Sequence, residues 1–167
     1  MYIDLMGSKG GEWFTFRMSE IDQNSGDIVW GDEIEGLEVK IRSWKPFFEE
    51  NIEKRPQETI WKVHPKSRAY EPHTKFKDLT VEEIKIERDN AVDFAITGLK
   101  GWKDKVTRKE YPCTKEVKIE LMKLDFFDRF FADCQQKIDS LCIEMEDKET
   151  KNSVSGLNSQ TSNPEAK

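Results

Sequence analysis

Between Asp125 and Met145 the large apolar residues recur at alternating steps of four and three: Phe127, Phe131, Cys134, Ile138, Leu141 and Met145. That spacing places them on one helical face. Phe126 and Phe130 widen the face to the breadth a helix needs to lie on a core. A chain carrying this stripe must supply something for it to lie on. The spacing predicts a helix from Phe126 to about Asp147, with Asp125 at its start.

The N-terminal part supplies strands. Glu12–Met18 is rich in β-formers, with Trp13 or Phe14, and Phe16, facing inward. Asp22–Asp27 reads as a turn, and Asp27–Trp30 as a short strand turned by Gly31-Asp32. From Glu35 to Ser43, Leu37, Val39 and Ile41 alternate with Glu38, Lys40 and Arg42, the pattern of a strand with one wet face. Together these predict a small antiparallel sheet. Trp44–Ile52 reads as a short helix with Pro46 in its first turn. Thr59–His64 reads as a strand, and Pro65–Lys77 as a loop.

Further on, Thr80-Val81-Glu82-Glu83 is a capping box that starts a helix at Val81. Val81, Ile84, Arg88, Ala91 and Ala95 share its face, and Gly98 is its expected stop. A Thr114 cap opens a short helix over Lys115–Leu124. From Lys151 the chain turns small and polar, too poor in apolar groups to offset its ordering entropy. The expected whole is an α+β fold, residues 1–150 forming one domain. Its β-rich part spans 1–65 and its helical part 80–147, with about three helices packed on a small N-terminal antiparallel sheet. A disordered tail over 151–167 completes it. No internal repeat is visible.

Composition limits the function classes. Hydrophobic residues make up 36% of the 167, so the core must be built from a few large groups: ten Phe, five Trp and three Tyr. The net charge of −6, with basic residues scattered among acids, argues against nucleic acid as a partner. No run approaches the roughly 20 apolar residues of a membrane span, and the first residues lack the basic start of a signal peptide. An odd count of three cysteines fits reduced thiols in a cytoplasm. Cys134 and Cys142 lie about 12 Å apart along one helix, too far to pair.

A search for chemistry finds little. Gly7, Gly10 and Gly11 lack the phosphate-loop spacing. His64, His73, Asp78 and Cys113 match no zinc pattern and read as loop residues. Cys113 has no visible activator, and the pairs Asp32-Glu33, Glu49-Glu50 and Glu82-Glu83 read as solvated faces. No catalytic, cofactor or metal residue is assigned. Partner contact is the open alternative for the aromatics: Phe126, Phe130 and Trp102 are either core or the patch that meets another protein.

One resemblance bears on that alternative. Over about Asp89–Ile143 the order of parts is the aliphatic segment AVDFAITGLKGW, a charged turn, YPCT, the short helix KEVKIELMKL and then DFFDRFFADCQQKI. This order resembles the tail assembly chaperones of long-tailed bacteriophages. It departs from them at Lys103–Glu110, where the family often has a glycine and this chain has none. The resemblance implies a non-enzymatic protein of the infected host's cytoplasm. Such a protein binds the tape measure protein, or other phage tail proteins, during tail assembly. It needs no cofactor, membrane or nucleic acid, and self-association is compatible with it. The alternative class is a structural virion protein of the tail tube or head–tail joining region. A small enzyme using Cys113 is a third.

Overall fold

The computed structural model describes residues 10–155, apart from the side chains of residues 149 and 152–155. The protein is α+β. Strands β1 (Glu12–Ile21) and β2 (Ile28–Ile41) form a long antiparallel hairpin. The 44–52 segment becomes helix α1 (Lys45–Lys54), with Pro46 in the first turn as expected. Strands β3 (Gln57–Val63) and β4 (Tyr70–Phe76) form a second hairpin. Helix α2 (Val81–Ala95) leads directly into β5 (Ile96–Lys100). Helices α3 (Lys115–Met122) and α4 (Asp125–Ser155) follow. The first sheet has the order β1-β2-β5, and β3-β4 is a separate sheet.

Several sequence expectations change here. The break expected at Gly31-Asp32 is absent, because β2 runs unbroken past it and accommodates register shifts against β1. Pro65–Lys77 is not a loop: Tyr70–Phe76 pairs with β3 residue for residue. Pro72 fits because each strand of a two-stranded sheet has a free edge, where a missing N–H costs no ladder bond. Helix α2 stops at Ala95, not Gly98. Ile96–Lys100 instead completes the sheet by pairing with β2, and Ile96 is buried opposite Ile41. The four helices among the described residues all fall on segments read as helical, but α4 continues to Ser155, so the expected tail at 151 begins inside a helix. Residues 156–167, the rest of that tail, lie outside the described residues, as do residues 1–9 with Gly7.

Other expectations hold. Thr80 caps α2 by accepting from the Glu83 N–H, and the Glu83 carboxylate accepts from the Thr80 N–H. The aromatic stripe of α4 lies across the first sheet. Phe127, Phe130, Phe131, Cys134 and Ile138 are buried with Phe16, Val39 and Ile41. The alternation of β1 is resolved: Phe14 and Phe16 face this core, whereas Trp13 lies on the other face, 5.8 Å from the Lys40 ammonium. Polar contacts fix the crossing. Arg129 donates to the Ser19 hydroxyl at 2.8 Å and carbonyl at 2.9 Å, and Arg17 meets Asp133 at 3.3 Å. The stripe outlasts the sheet, however. Leu141 and Met145 are each 41% exposed, so the last turns of α4 extend past the core.

Helix α3 packs beside α2 and α4 with Leu121 and Lys118 buried. The Lys118 ammonium donates to the Asp93 carboxylate at 2.9 Å and the Asp93 carbonyl at 3.0 Å, which satisfies a charge that would otherwise be costly to bury.

Candidate functional site

Three hairpin tips share one local design, a repeat the amino-acid pattern had hidden. The hexapeptides are Asp22–Asp27 (DQNSGD), His64–Ala69 (HPKSRA) and Asp104–Lys109 (DKVTRK). In each, the first side chain accepts from the backbone N–H groups two and three residues on. The first carbonyl accepts from the fifth N–H, and the first N–H donates to the sixth carbonyl. The fourth residue's hydroxyl accepts from the sixth N–H. The fifth residue is left-handed in all three: Gly26 at φ 74°, Arg68 at 53° and Arg108 at 59°. Asp or His first, Ser or Thr fourth and a left-handed fifth is the signal that would have revealed β4 and its turn. It also closes the glycine-free span of the third loop. There Asp104 takes the Thr107 and Val106 N–H groups and the Tyr111 hydroxyl, which hold its carboxyl below the usual range.

The tips differ in charge. The outer β1–β2 hairpin carries Glu20, Asp22, Asp27, Asp32, Glu33 and Glu35, all exposed, and no Lys or Arg between Met18 and Gly36. The β3–β4 hairpin carries Lys62, Lys66, Arg68, Lys75 and Lys77 against Glu58 and Glu71. The third loop is basic as well, with Lys105, Arg108 and Lys109.

The β3–β4 hairpin also has an apolar face. Pairing puts Trp61 opposite Pro72, Val63 opposite Tyr70 and Gln57 opposite Phe76, all on one side. Trp61 is 64% exposed and Tyr70 71%. At the hairpin's root, Phe76 reaches an open cleft of about 680 Å³ between β4, α1 and α2. Trp44, Phe48, Leu79 and Ile84 line it with Phe76. Its polar wall is Arg55, held to Glu87 by two bonds of 2.7 and 2.8 Å. The exposed face of α2 bears on this cleft. Of the helical stripe expected at Val81, Ile84, Arg88, Ala91 and Ala95, only Ala91 and Ala95 are buried, and Val81 and Ile84 are bare.

The partner candidates named from sequence fall elsewhere. Phe130 is 2% exposed and sits edge-on to Phe16 at 4.9 Å, so it is core and offers no outer surface. Phe126 and Trp102 are half-buried against the same cluster. The Trp102 ring meets Phe16 and Phe127 at 5.0 and 5.3 Å, and its N–H donates to the Glu38 carbonyl at 3.2 Å. The structure thus brings all three together, but inward around Phe16. The cleft was missed because Trp44, Phe48, Phe76 and Ile84 come from segments far apart in the chain.

Among the described residues, no three His, Cys, Asp or Glu side chains converge on a metal-sized site, and no helix is long and apolar enough to cross a membrane. The thiols are ordered by environment. Burial pushes Cys134 up to about 12, and partial desolvation raises the exposed Cys113. Raised values mean less thiolate, hence less nucleophile, at neutral pH. Mild alkylation of the native protein should therefore label Cys113 alone, slowly, and faster as pH rises. Peptide mapping by mass spectrometry checks this, and a rapid reaction at neutral pH would revive the nucleophilic reading of Cys113. No protein-family model, curated protein or solved structure matches this chain.

Proposed function

We propose that this chain is a non-enzymatic assembly chaperone that holds an amphipathic, helical segment of a phage tape measure protein while the tail is built in the host cytoplasm. The order of parts from Asp89 to Ile143 motivates the class. One observation carries the mode of action: Phe76 and Ile84, 41% and 53% exposed, stand bare beside Trp44 and Phe48 around an open cleft. Helical clients are held by laying their apolar stripe in such a groove. Arg55, Glu87 and Arg88 provide the polar rim that fixes orientation. The cleft takes over the role first considered for Trp102, Phe126 and Phe130, whose rings are engaged with Phe16.

The test is co-purification of the chain with the tape measure protein. Ile84→Glu and Phe76→Glu place a charge in the cleft at exposed positions. Each should abolish co-purification while moving the melting temperature by no more than about 2–4 °C, the scale of a surface change. Normal capture by both variants would remove the cleft from the reading.

A resident component of the tail tube or head–tail joint is the second reading. It is favoured by the two hairpins of opposite charge, whose outer parts are exposed on the fold. Mass spectrometry of purified particles separates the two, since a chaperone is absent from them.

A further inference from the structure

We propose that copies of this chain associate head to tail, the basic β3–β4 hairpin of one docking on the acidic outer β1–β2 hairpin of the next. The inference is independent of the client cleft and rests on the distribution of charge. A chain of net charge −6 with mixed signs everywhere would repel its copies. The bases are not evenly scattered among the acids, as composition suggested; the two hairpins segregate the signs. Six acids and no base occupy 18–36, whereas 57–77 holds five bases against two acids. Among the described residues no ion pair joins the two hairpins within the chain, and Lys62, Lys66 and Arg68 enter no ion pair. Both complementary fields thus remain available to another molecule.

Each hairpin also has apolar surface to bury at the contact. On β3–β4 it is Trp61, Val63 and Tyr70. On β1–β2 it is Ile21 and Ile28, paired on one face and about half-exposed at 55 and 48%. Aromatic anchors ringed by paired charge are the usual makeup of an interface centre. Because the two patches differ, the contact is heterologous, so it closes into a ring or extends as a filament. Nucleic acid is the rival occupant of a basic, aromatic hairpin. The acidic hairpin favours a second copy, since it would gain nothing from a phosphate backbone.

Analytical ultracentrifugation of the full chain tests this. Oligomers should grow with concentration at low ionic strength and weaken in about 1 M salt, where screening falls to about 3 Å. Reversing the basic tip (Lys62→Glu, Lys66→Glu, Arg68→Glu) should weaken association at least about ten-fold. Reversing the acidic one (Glu20→Lys, Asp22→Lys, Asp27→Lys) should do the same. Mixing the two variants should restore association, because each supplies the patch the other lacks; that rescue also requires both to be folded. Reversing Lys105, Arg108 and Lys109 instead should leave it unchanged. A chain that stays monomeric at high concentration and low salt overturns the proposal. So does loss of association only in the third-loop variant, or tip-dependent binding of labelled single-stranded RNA by a monomeric chain.

Discussion

Phe131→Ala is expected to destabilise the protein by about 3–5 kcal/mol, the range for truncating a buried ring. The Phe131 ring is 1% exposed and meets the Trp44 ring edge-on at 5.0 Å. It sits where α4 crosses from the sheet to the start of α1. One turn further on, Gln135 donates to the Arg42 carbonyl and accepts from the Trp44 N–H, at 2.9 and 3.3 Å. Removing the ring leaves a cavity bounded by a strand end, a helix and Trp44, whose backbone N–H stays bonded to Gln135 and whose ring still meets Phe48. Such walls relax little, which keeps the loss near the upper end of the range. Denaturant unfolding measures it, and a midpoint close to wild type would show that the α4 face is not the core.

Gly101→Ala should cost about 2–5 kcal/mol, from two separate sources. Gly101 has φ +80°, and a side chain there bears roughly 1–2 kcal/mol of left-handed strain. A Cβ would also overlap the carbonyl oxygen of Gly36, itself at φ +79°. Backbone cannot swing aside as a side-chain end can, so β2 and β5 must separate locally, an overpacking cost of about 1–3 kcal/mol. Gly36→Ala is the control: nothing lies within 4 Å of its added Cβ, so only the strain applies. Thermal unfolding of the pair should rank Gly101→Ala well below Gly36→Ala. Equal losses would mean that the close approach at Gly36 contributes nothing.

Much of the fold was legible where the deciding interactions lie within one turn of chain. The Thr80–Glu83 box, Pro46 at the start of α1 and the Asp22–Asp27 turn each rest on bonds between residues a few positions apart. The stripe of α4 was legible for a related reason. Phe127, Phe131, Cys134 and Ile138 announce a buried face by spacing alone, and they are buried. By itself, then, the sequence determined the class, an α+β protein whose aromatic helix must lie on a sheet.

The tertiary structure decided what each segment pairs with and how far each stripe is covered. Ile96–Lys100 continues a helical pattern, yet it is a strand, because β2 offers an unpaired edge beside it and Ile96 buries against Ile41. Such pairing depends on a partner more than fifty residues away in the chain, and no local rule contains it. The same holds at the site. Phe130 and Trp102 look like surface candidates when counted along the chain, but Phe16, from the first strand, gathers them inward. Phe76 and Ile84 stay bare because no element among the described residues lies over them. Apolar spacing says which residues share a face; only the finished packing says whether anything covers it.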